Sequence, residues 1–449
     1  MEELDRQNRA FEKRLKRQVI GKPHRFLAVV PLGFEQTFVR EFNTLGIQTT
    51  ICDPDIAQAS HHPQVIGDGK VEFTAKLVEA WKIAAYSRIA NRILMHIADF
   101  KAENFRELEK KANEIPWELF LDNKGPARVD IHVTCKHSRL YHSDAVAERL
   151  DKILPAPSTP QNLFVTLVDD RCTLWLDLAG EELYKRGHER FVNDAPLKET
   201  IAAGMILEAI STLHIIHHQS SIINYPLSIT LIDPMAGSGT FSLEAAYQAN
   251  DLIPGLCRDF ALKHQPAFKE ATWKFITSHE PPASRLFQFV NIVTSDISGK
   301  AVEIIRHNVE CSPLATVAPS GTTPTIDPQV RDFFSYTAAE IADAAPGPSQ
   351  PIILLNPPYG KRLDFDAPRL YTHIGRRLAE LARDLAPFNK ALTVAILAPK
   401  DDTRPGSRYT CTANLLRECP ALDPDKNTEA KSIATSHGGF ALNAIIARI

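Results

Sequence analysis

Apolar positions along the chain follow two different rhythms, and the change between them falls near residue 199. In the first part, short alternating runs are separated by helical periods. Leu4, Phe11, Leu15 and Val19 give a partial stripe that predicts a helix over roughly the first 20 residues. RFLAVVPLGFEQTFVREFNTLGI reads as a strand, a Pro-Leu-Gly turn and a helix ending at Gly46. GDGKVEFTA reads as a strand after a Gly-rich turn, followed by a helix over Lys76–Ile97. NFRELEKKANEI and YHSDAVAERLDKIL have helical spacing, while ARVDIHVTC alternates as a strand. NLFVTLVDDRCTLWLDLA is a hairpin with Asp169-Asp170-Arg171 at its tip. Such mixtures of helices and antiparallel hairpins predict one or two small α+β layers.

After GEELYKRGHERFVNDAPLKET the pattern becomes regular. A helix over Leu197–Leu213 precedes strands at Ile229–Asp233, Val290–Asp296, Thr325–Phe333, Ile352–Leu355 and Ala391–Leu397, with helices between them. The chain ends in a hairpin, GGFALNAIIARI. Strands alternating with helices predict a doubly wound, mostly parallel α/β sheet. Stretches rich in Pro, Thr, Ser and Ala at Ser312–Pro324 and Ala342–Gln350 read as surface loops.

Bulk properties narrow the classes. At 449 residues the chain exceeds one ordinary core, so two or three domains are expected. No window approaches the roughly 18–20 apolar residues of a membrane span, the opening MEELDRQNRAFEKRLKRQ is not a secretory signal, and a cytoplasmic location is expected. Seven cysteines without a CxxC pair argue against a disulfide framework or a zinc knuckle. The net charge of −3 does not advertise a nucleic-acid binder, so any basic surface must be local, as between Lys13 and Arg25.

The chemistry concentrates at the ends of the later strands. LIDPMAGSGTFSLEAA is strand, Gly-containing loop and helix, in which Gly237 and Gly239 let the backbone approach a ligand and Ser238–Phe241 open a helix. Dinucleotides, nucleotide triphosphates and S-adenosylmethionine all use such an edge. A dinucleotide site wants a third glycine where this chain has Ser242, and a triphosphate site wants a lysine that is missing from Ser228 to Asn250. S-adenosylmethionine tolerates an acid here, and Asp233, Pro234, Ala236, Gly237, Ser238, Gly239 and Thr240 are its expected cradle. Asp296, at the next strand end beside Ile297, suits the two ribose hydroxyls of an adenosine. Asp332 suits the adenine amino group, and Phe333 is expected to line the ring. The fourth strand stops at Asn356-Pro357-Pro358-Tyr359, because consecutive prolines cannot donate to a sheet ladder. An amide oxygen, a proline carbonyl and an aromatic ring at one corner suit a flat molecule bearing an NH₂ group. Such a grip does not separate guanine from adenine.

Asn356-Pro-Pro-Tyr behind this pocket resembles the class I S-adenosylmethionine-dependent methyltransferases that modify exocyclic amines. SRIANRIL and VTCKHSRLYHSDAVAERL are similar to stretches of THUMP-containing RNA-modifying enzymes. LDLAGEELYKRGHERFVNDAPLKETIAAGMI, IPGLCRDFALKHQPAFKEATW, DPMAGSGTFSLEAA, NPPYGKRL and LYTHIGRRL resemble the bacterial 23S ribosomal RNA guanine-N2 methyltransferases, from about Arg25 to the last hairpin.

The resemblance implies a charged N-terminal helix (1–24), a ferredoxin-like and THUMP RNA-binding region (25–180), a linker (181–198) and a methyltransferase domain (199–449). It implies Asn356, Pro357, Pro358 and Tyr359 as the catalytic corner, with Asn356 also beside the cofactor. Arg139, Lys185, Arg186, Arg190, Lys198, Lys361 and Arg362 become candidate RNA contacts. Ribosomal RNA or a pre-ribosomal particle is the expected partner, and no metal is expected; His214, His217 and His218 lack a nearby carboxylate. Ala236 stands where the family often has cysteine. Rival readings are a tRNA guanine-N2 or an adenine-N6 methyltransferase, and a non-catalytic RNA-binding assembly factor.

Overall fold

The computed structural model describes residues 2–47, 63–192, 196–217, 226–278, 287–317, 323–359, 366–402, 404 and 410–449. The chain divides into two interleaved units. One comprises residues 1–30, 38–187 and 255–282, the other 31–37, 188–254 and 283–449.

The first unit is built on strands β1 (Pro23–Val29), β2 (Gln64–Gly67), β3 (Lys70–Lys76), β4 (Arg92–Lys101), β5 (Val129–Lys136), β6 (Gln161–Val168) and β7 (Arg171–Asp177). They form one continuous sheet in the order β2-β3-β1-β4-β7-β6-β5, rather than two separate layers. The β6–β7 hairpin turns on Asp169 and Asp170, both with positive φ, the left-handed geometry of a two-residue turn. The helix expected over Lys76–Ile97 ends at Tyr86, and its second half is instead the central strand β4. Arg92–Lys101 is claimed by antiparallel partners on both sides, β1 and β7, and this pairing outweighs the local helical spacing.

Residues 255–282, read from sequence as part of the later half, belong to this first unit. The Arg258 guanidinium donates to the carbonyls of Glu182 and Glu181 at 2.9 and 2.6 Å, and Leu262 N–H donates to Leu178 C=O at 3.1 Å. The rings of Trp81 and Phe268 lie 5.6 Å apart, those of Phe260 and Trp273 5.2 Å. This segment packs its aromatics within the first unit.

The second unit holds β8 (Leu227–Asp233), β9 (Phe287–Asp296), β10 (Gln329–Val330), β11 (Gln350–Leu355), β12 (Thr393–Pro399), β13 (Ala430–His437) and β14 (Phe440–Arg448). The sheet order is β10-β9-β8-β11-β12-β14-β13, with the first five strands parallel and β14 antiparallel to β12 and β13. Every residue of β12 is buried, as is all of β11 after Gln350, which is why these strands read as unbroken apolar runs. Helix Ala367–Leu385 covers one face with Tyr371, Ile374, Leu378, Leu381 and Leu385. Helices Glu199–His217 and Thr240–Ala249 pack on each other and on sheet strands. The strand expected over Thr325–Phe333 shrinks to the two-residue β10, an edge strand with one partner.

The order reverses between β8 and β11, so a crevice opens beyond their carboxyl ends. Ile353 pairs with Ile232, and the two chains then run out to Asn356 and Asp233. Asp296 ends β9, beside the Gly-rich loop.

Candidate active site

The Gly-rich loop is held from three directions. Gly237 and Gly239 adopt φ of +58° and +79°, which side chains disfavour, and a Cβ on Gly239 would lie 3.1 Å from Ile305. Ala236 N–H donates to Ser295 C=O at 3.0 Å, and Gly237 N–H donates to the Asp296 carboxylate at 2.9 Å. These bonds stitch the loop to the end of β9. Beneath it, Asp233 is fully buried and accepts from Ser242 N–H (3.2 Å) and Ser242 Oγ (2.8 Å), while Thr294 Oγ1 donates to Ser242 Oγ at 2.8 Å. Asp233 is therefore placed as an internal fastener of the loop. Burial pushes its carboxyl up to about 7, against the pull of the Ser242 bonds and with a further push from Asp296.

The third hold comes from Arg190. Its guanidinium pairs with Glu199 and donates to the hydroxyls of Ser238 and Thr240. Asn308 completes the clamp by donating to Ser238 C=O at 3.0 Å and to Phe191 C=O at 2.9 Å, while accepting from Phe191 N–H at 2.7 Å. With both hydroxyls engaged, the loop has its backbone and its helix start to offer a ligand.

Asp296 is oriented by two backbone donors, Gly237 N–H and Ser298 N–H (2.9 Å), one to each oxygen. Each carboxylate oxygen keeps a further lone pair for a hydroxyl donor. Ile297, 70% exposed, sets an apolar surface beside it. Asp332 accepts from Phe334 N–H at 3.0 Å and caps a short 3₁₀ turn. Phe333, expected to line a ring, is buried in the hydrophobic core with Tyr336 and Ile341; the half-buried neighbour is Phe334. The turn after Asp332 rotates the first phenylalanine inward.

At the end of β11, Pro357 is buried and Pro358 exposed. Asn356 Oδ1 is buried, with no hydrogen-bond partner among the described residues. A buried amide oxygen without a donor costs roughly 1–3 kcal/mol, which a ligand NH₂ would recover. Tyr359 meets Phe440 edge-on, ring centroids 6.0 Å apart at 73°. Phe440 opens β14 opposite His437, whose Nε2 lies 2.8 Å from Pro196 C=O. Burial lowers the His437 pKa, partly offset by the Pro196 bond and assisted by nearby Lys198. The final hairpin thus reaches the aromatic wall of the corner.

The basic candidates separate clearly. Arg186 is buried, with its guanidinium on Leu183 C=O (2.9 Å) and Arg88 C=O (3.1 Å). Arg190 is likewise internal, with its side chain 11% exposed. Both were expected to face RNA; their donors serve the protein's own carbonyls and hydroxyls instead. Lys185 is exposed beside Glu181 at 3.0 Å, and exposed Arg139 pairs with Glu103 and lies 3.6 Å from Asp170. Lys198 is half-buried, its carbonyl starting helix Glu199–His217. Lys361, Arg362 and His218 lie outside the described residues, as do the side chains of His214 and His217. Sequence reasoning missed Ser242, Thr294 and Asn308, whose small polar side chains carry no motif. It noted the segment of Phe440 without assigning that residue.

Residues 222–396 match the family described as RMKL-like, methyltransferase domain. The chain is 26% identical over 373 residues to the ribosomal RNA large subunit methyltransferase K/L of Shewanella amazonensis, covering 79% of this chain and 47% of that one. It is 29% identical over 387 residues to the protein of the same name from Syntrophotalea carbinolica, again over 79% and 47%. The chain thus spans about half the length of these relatives. The crystal structure of SMU.472 in complex with SAH superposes with a TM-score of 0.66, at 21% identity over 95% of this chain and 98% of that one. Among the described residues no helix is long and apolar enough to cross a membrane. Residues 222–396 are thus similar to an RMKL-like methyltransferase domain, and the sheet order β10-β9-β8-β11-β12-β14-β13 with its Gly-rich first turn is that of a class I methyltransferase fold.

Proposed function

We propose that this chain is an S-adenosylmethionine-dependent RNA methyltransferase that forms N2-methylguanosine, with 23S ribosomal RNA or a pre-ribosomal particle as substrate, in the cytoplasm. The observation that carries this reading is Asn356 Oδ1, buried and unpartnered at a proline-stiffened strand end beside the Tyr359–Phe440 wall. The names of the curated relatives support the choice of RNA.

The residues present fit the cofactor. Asp296 has free acceptor capacity for ribose hydroxyls, Ile297 offers an apolar surface, and Gly237 and Gly239 leave the loop backbone without a side chain at those positions. S-adenosylmethionine supplies an electrophilic methyl group on a sulfonium. Asn356 Oδ1 and the Pro357 carbonyl accept from the two hydrogens of the guanine amine and turn its lone pair out of conjugation with the ring. Tyr359 holds the base face, and the amine gives up its proton after the new C–N bond forms, so no strong base is required. Positioning and fixed dipoles account for the acceleration. A paired base cannot reach such a corner, so the target is unpaired or flipped.

The test is nucleoside mass spectrometry on 23S RNA and tRNA from cells lacking this gene, each incubated with protein and methyl-labelled cofactor. Labelled N2-methylguanosine in 23S RNA supports the reading. The same label confined to tRNA moves the substrate, N6-methyladenosine overturns the base, and no label despite cofactor binding favours a non-catalytic role or a pre-ribosomal substrate.

A further inference from the structure

Next to Arg190 and Asn308, which hold the Gly-rich loop, three side chains of different chemistry converge: Glu189, His307 and Cys311. One ligand atom from each lies within 4.8 Å of the other two. We propose that these residues bind a divalent transition metal of the zinc class and that the bound ion braces the clamp supporting the loop.

The spacing is that of a helical chelate. His307 sits in the last turn of helix Gly299–Glu310, and Cys311 caps that helix with its N–H 2.9 Å from His307 C=O. Residues four apart share one helix face. Cys311 is a free thiol, and its sulfur lies 3.5 Å from His307 Nε2. Zinc bonds of about 2.3 Å to sulfur and about 2.0 Å to nitrogen, at a tetrahedral angle, put those two atoms about 3.5 Å apart. The pair is therefore spaced for one metal without moving the helix. Glu189 supplies the oxygen from the neighbouring segment, and water completes the shell. Thiolate, imidazole and carboxylate together suit zinc or cobalt, whereas magnesium and calcium want oxygen ligands throughout. The negative end of the helix dipole also favours a cation there.

The His307 ring and the backbone segment bearing Glu189 are held in place before any ion arrives. Phe191 stacks on the His307 ring at 3.7 Å and 20°, which fixes the imidazole plane. Asn308 grips the Phe191 backbone through both N–H and C=O, so the segment bearing Glu189 is already pinned to the helix bearing the other two ligands. Arg190, next to Glu189, holds the hydroxyls of Ser238 and Thr240. A metal joining Glu189 to His307 and Cys311 would cross-link the two halves of that support. On binding, the Cys311 thiol releases its proton to buffer as the metal–sulfur bond forms.

A chelator-stripped, tag-free full chain titrated with cobalt(II) tests this. The proposal expects a near-ultraviolet thiolate-to-cobalt band and visible bands of tetrahedral intensity, saturating at one ion per chain and displaced by zinc. Cys311→Ser abolishes the thiolate band, and Glu189→Gln keeps it with association weakened by about tenfold. Zinc raises the unfolding temperature of the unmodified chain and not that of Cys311→Ser. Absence of the band with cobalt in excess, its persistence in folded Cys311→Ser, or an unfolding temperature indifferent to zinc would each overturn the proposal. Should Cys311→Ser fail to fold, His307→Ala gives the same reading through loss of the site.

Discussion

Tyr359 and Phe440 meet edge-on with centroids 6.0 Å apart, joining the Asn-Pro-Pro-Tyr corner to the last hairpin of the sheet. The two residues come from opposite sides of β12, 81 positions apart in sequence, and form one aromatic wall. Edge-to-face pairs contribute about 0.5–1.5 kcal/mol beyond their buried area.

Phe440→Ala removes the support that orients Tyr359 and leaves the Gly-rich loop untouched. KM for RNA should rise several-fold while cofactor affinity stays within twofold, measured by steady-state methylation and by calorimetry with S-adenosylhomocysteine. An equal loss in both would place Phe440 outside the base wall.

Asp296→Ala deletes the acceptor of Gly237 N–H and Ser298 N–H and the proposed grip on the ribose. Charge-assisted bonds of this kind are each worth about 1.5–3 kcal/mol. Cofactor affinity should fall roughly 10- to 100-fold by calorimetry. An unchanged affinity would remove Asp296 from the site.

Arg190→Met leaves the Glu199 carboxylate without its cation and the Ser238 and Thr240 hydroxyls without this donor. Removing one partner of a buried pair costs roughly 3–5 kcal/mol, so urea unfolding should show a large loss of stability. The salt dependence of RNA binding should not change, since this guanidinium is spent inside the protein. A shallower salt slope with stability intact would restore it to the RNA surface.

Asp233 makes stability depend on pH in a definite direction. Its folded carboxyl titrates at about 7, above the ordinary range near 3.8, because it is buried. The folded state therefore holds this proton more tightly than the unfolded chain, and the contribution is complete below about pH 4 and fades as pH rises through about 7. Asp233→Asn keeps an acceptor for Ser242 and cannot ionise. Urea midpoints from pH 4 to 8 should show a decline in the unmodified protein that is reduced in Asp233→Asn; identical profiles would contradict this role.

Strands β11 and β12 were legible in the sequence because burial on both faces writes continuous apolar runs. Asp233 and Asn356 were legible as punctuation after such runs, whereas Asp332 follows only the two exposed residues of β10. The central strand β4 was not legible, since its pairing with β1 and β7 is non-local and its local spacing mimics a helix. Phe333 and Phe334 are equivalent in sequence, and a short turn decides which faces inward. Arg186 and Arg190 looked like surface charge because an arginine satisfied by carbonyls and one that meets phosphate carry the same letter.

In the proposed function, Asn356 Oδ1 holds the amine that is methylated. Single-turnover methyl transfer to the guanine amine, at saturating RNA and cofactor, should fall about 10²- to 10³-fold in Asn356→Ala, the cost of losing a preorganised polar group at a reacting centre. Labelled N2-methylguanosine formed by Asn356→Ala at the unmodified rate would show that this amide does not hold the reacting amine.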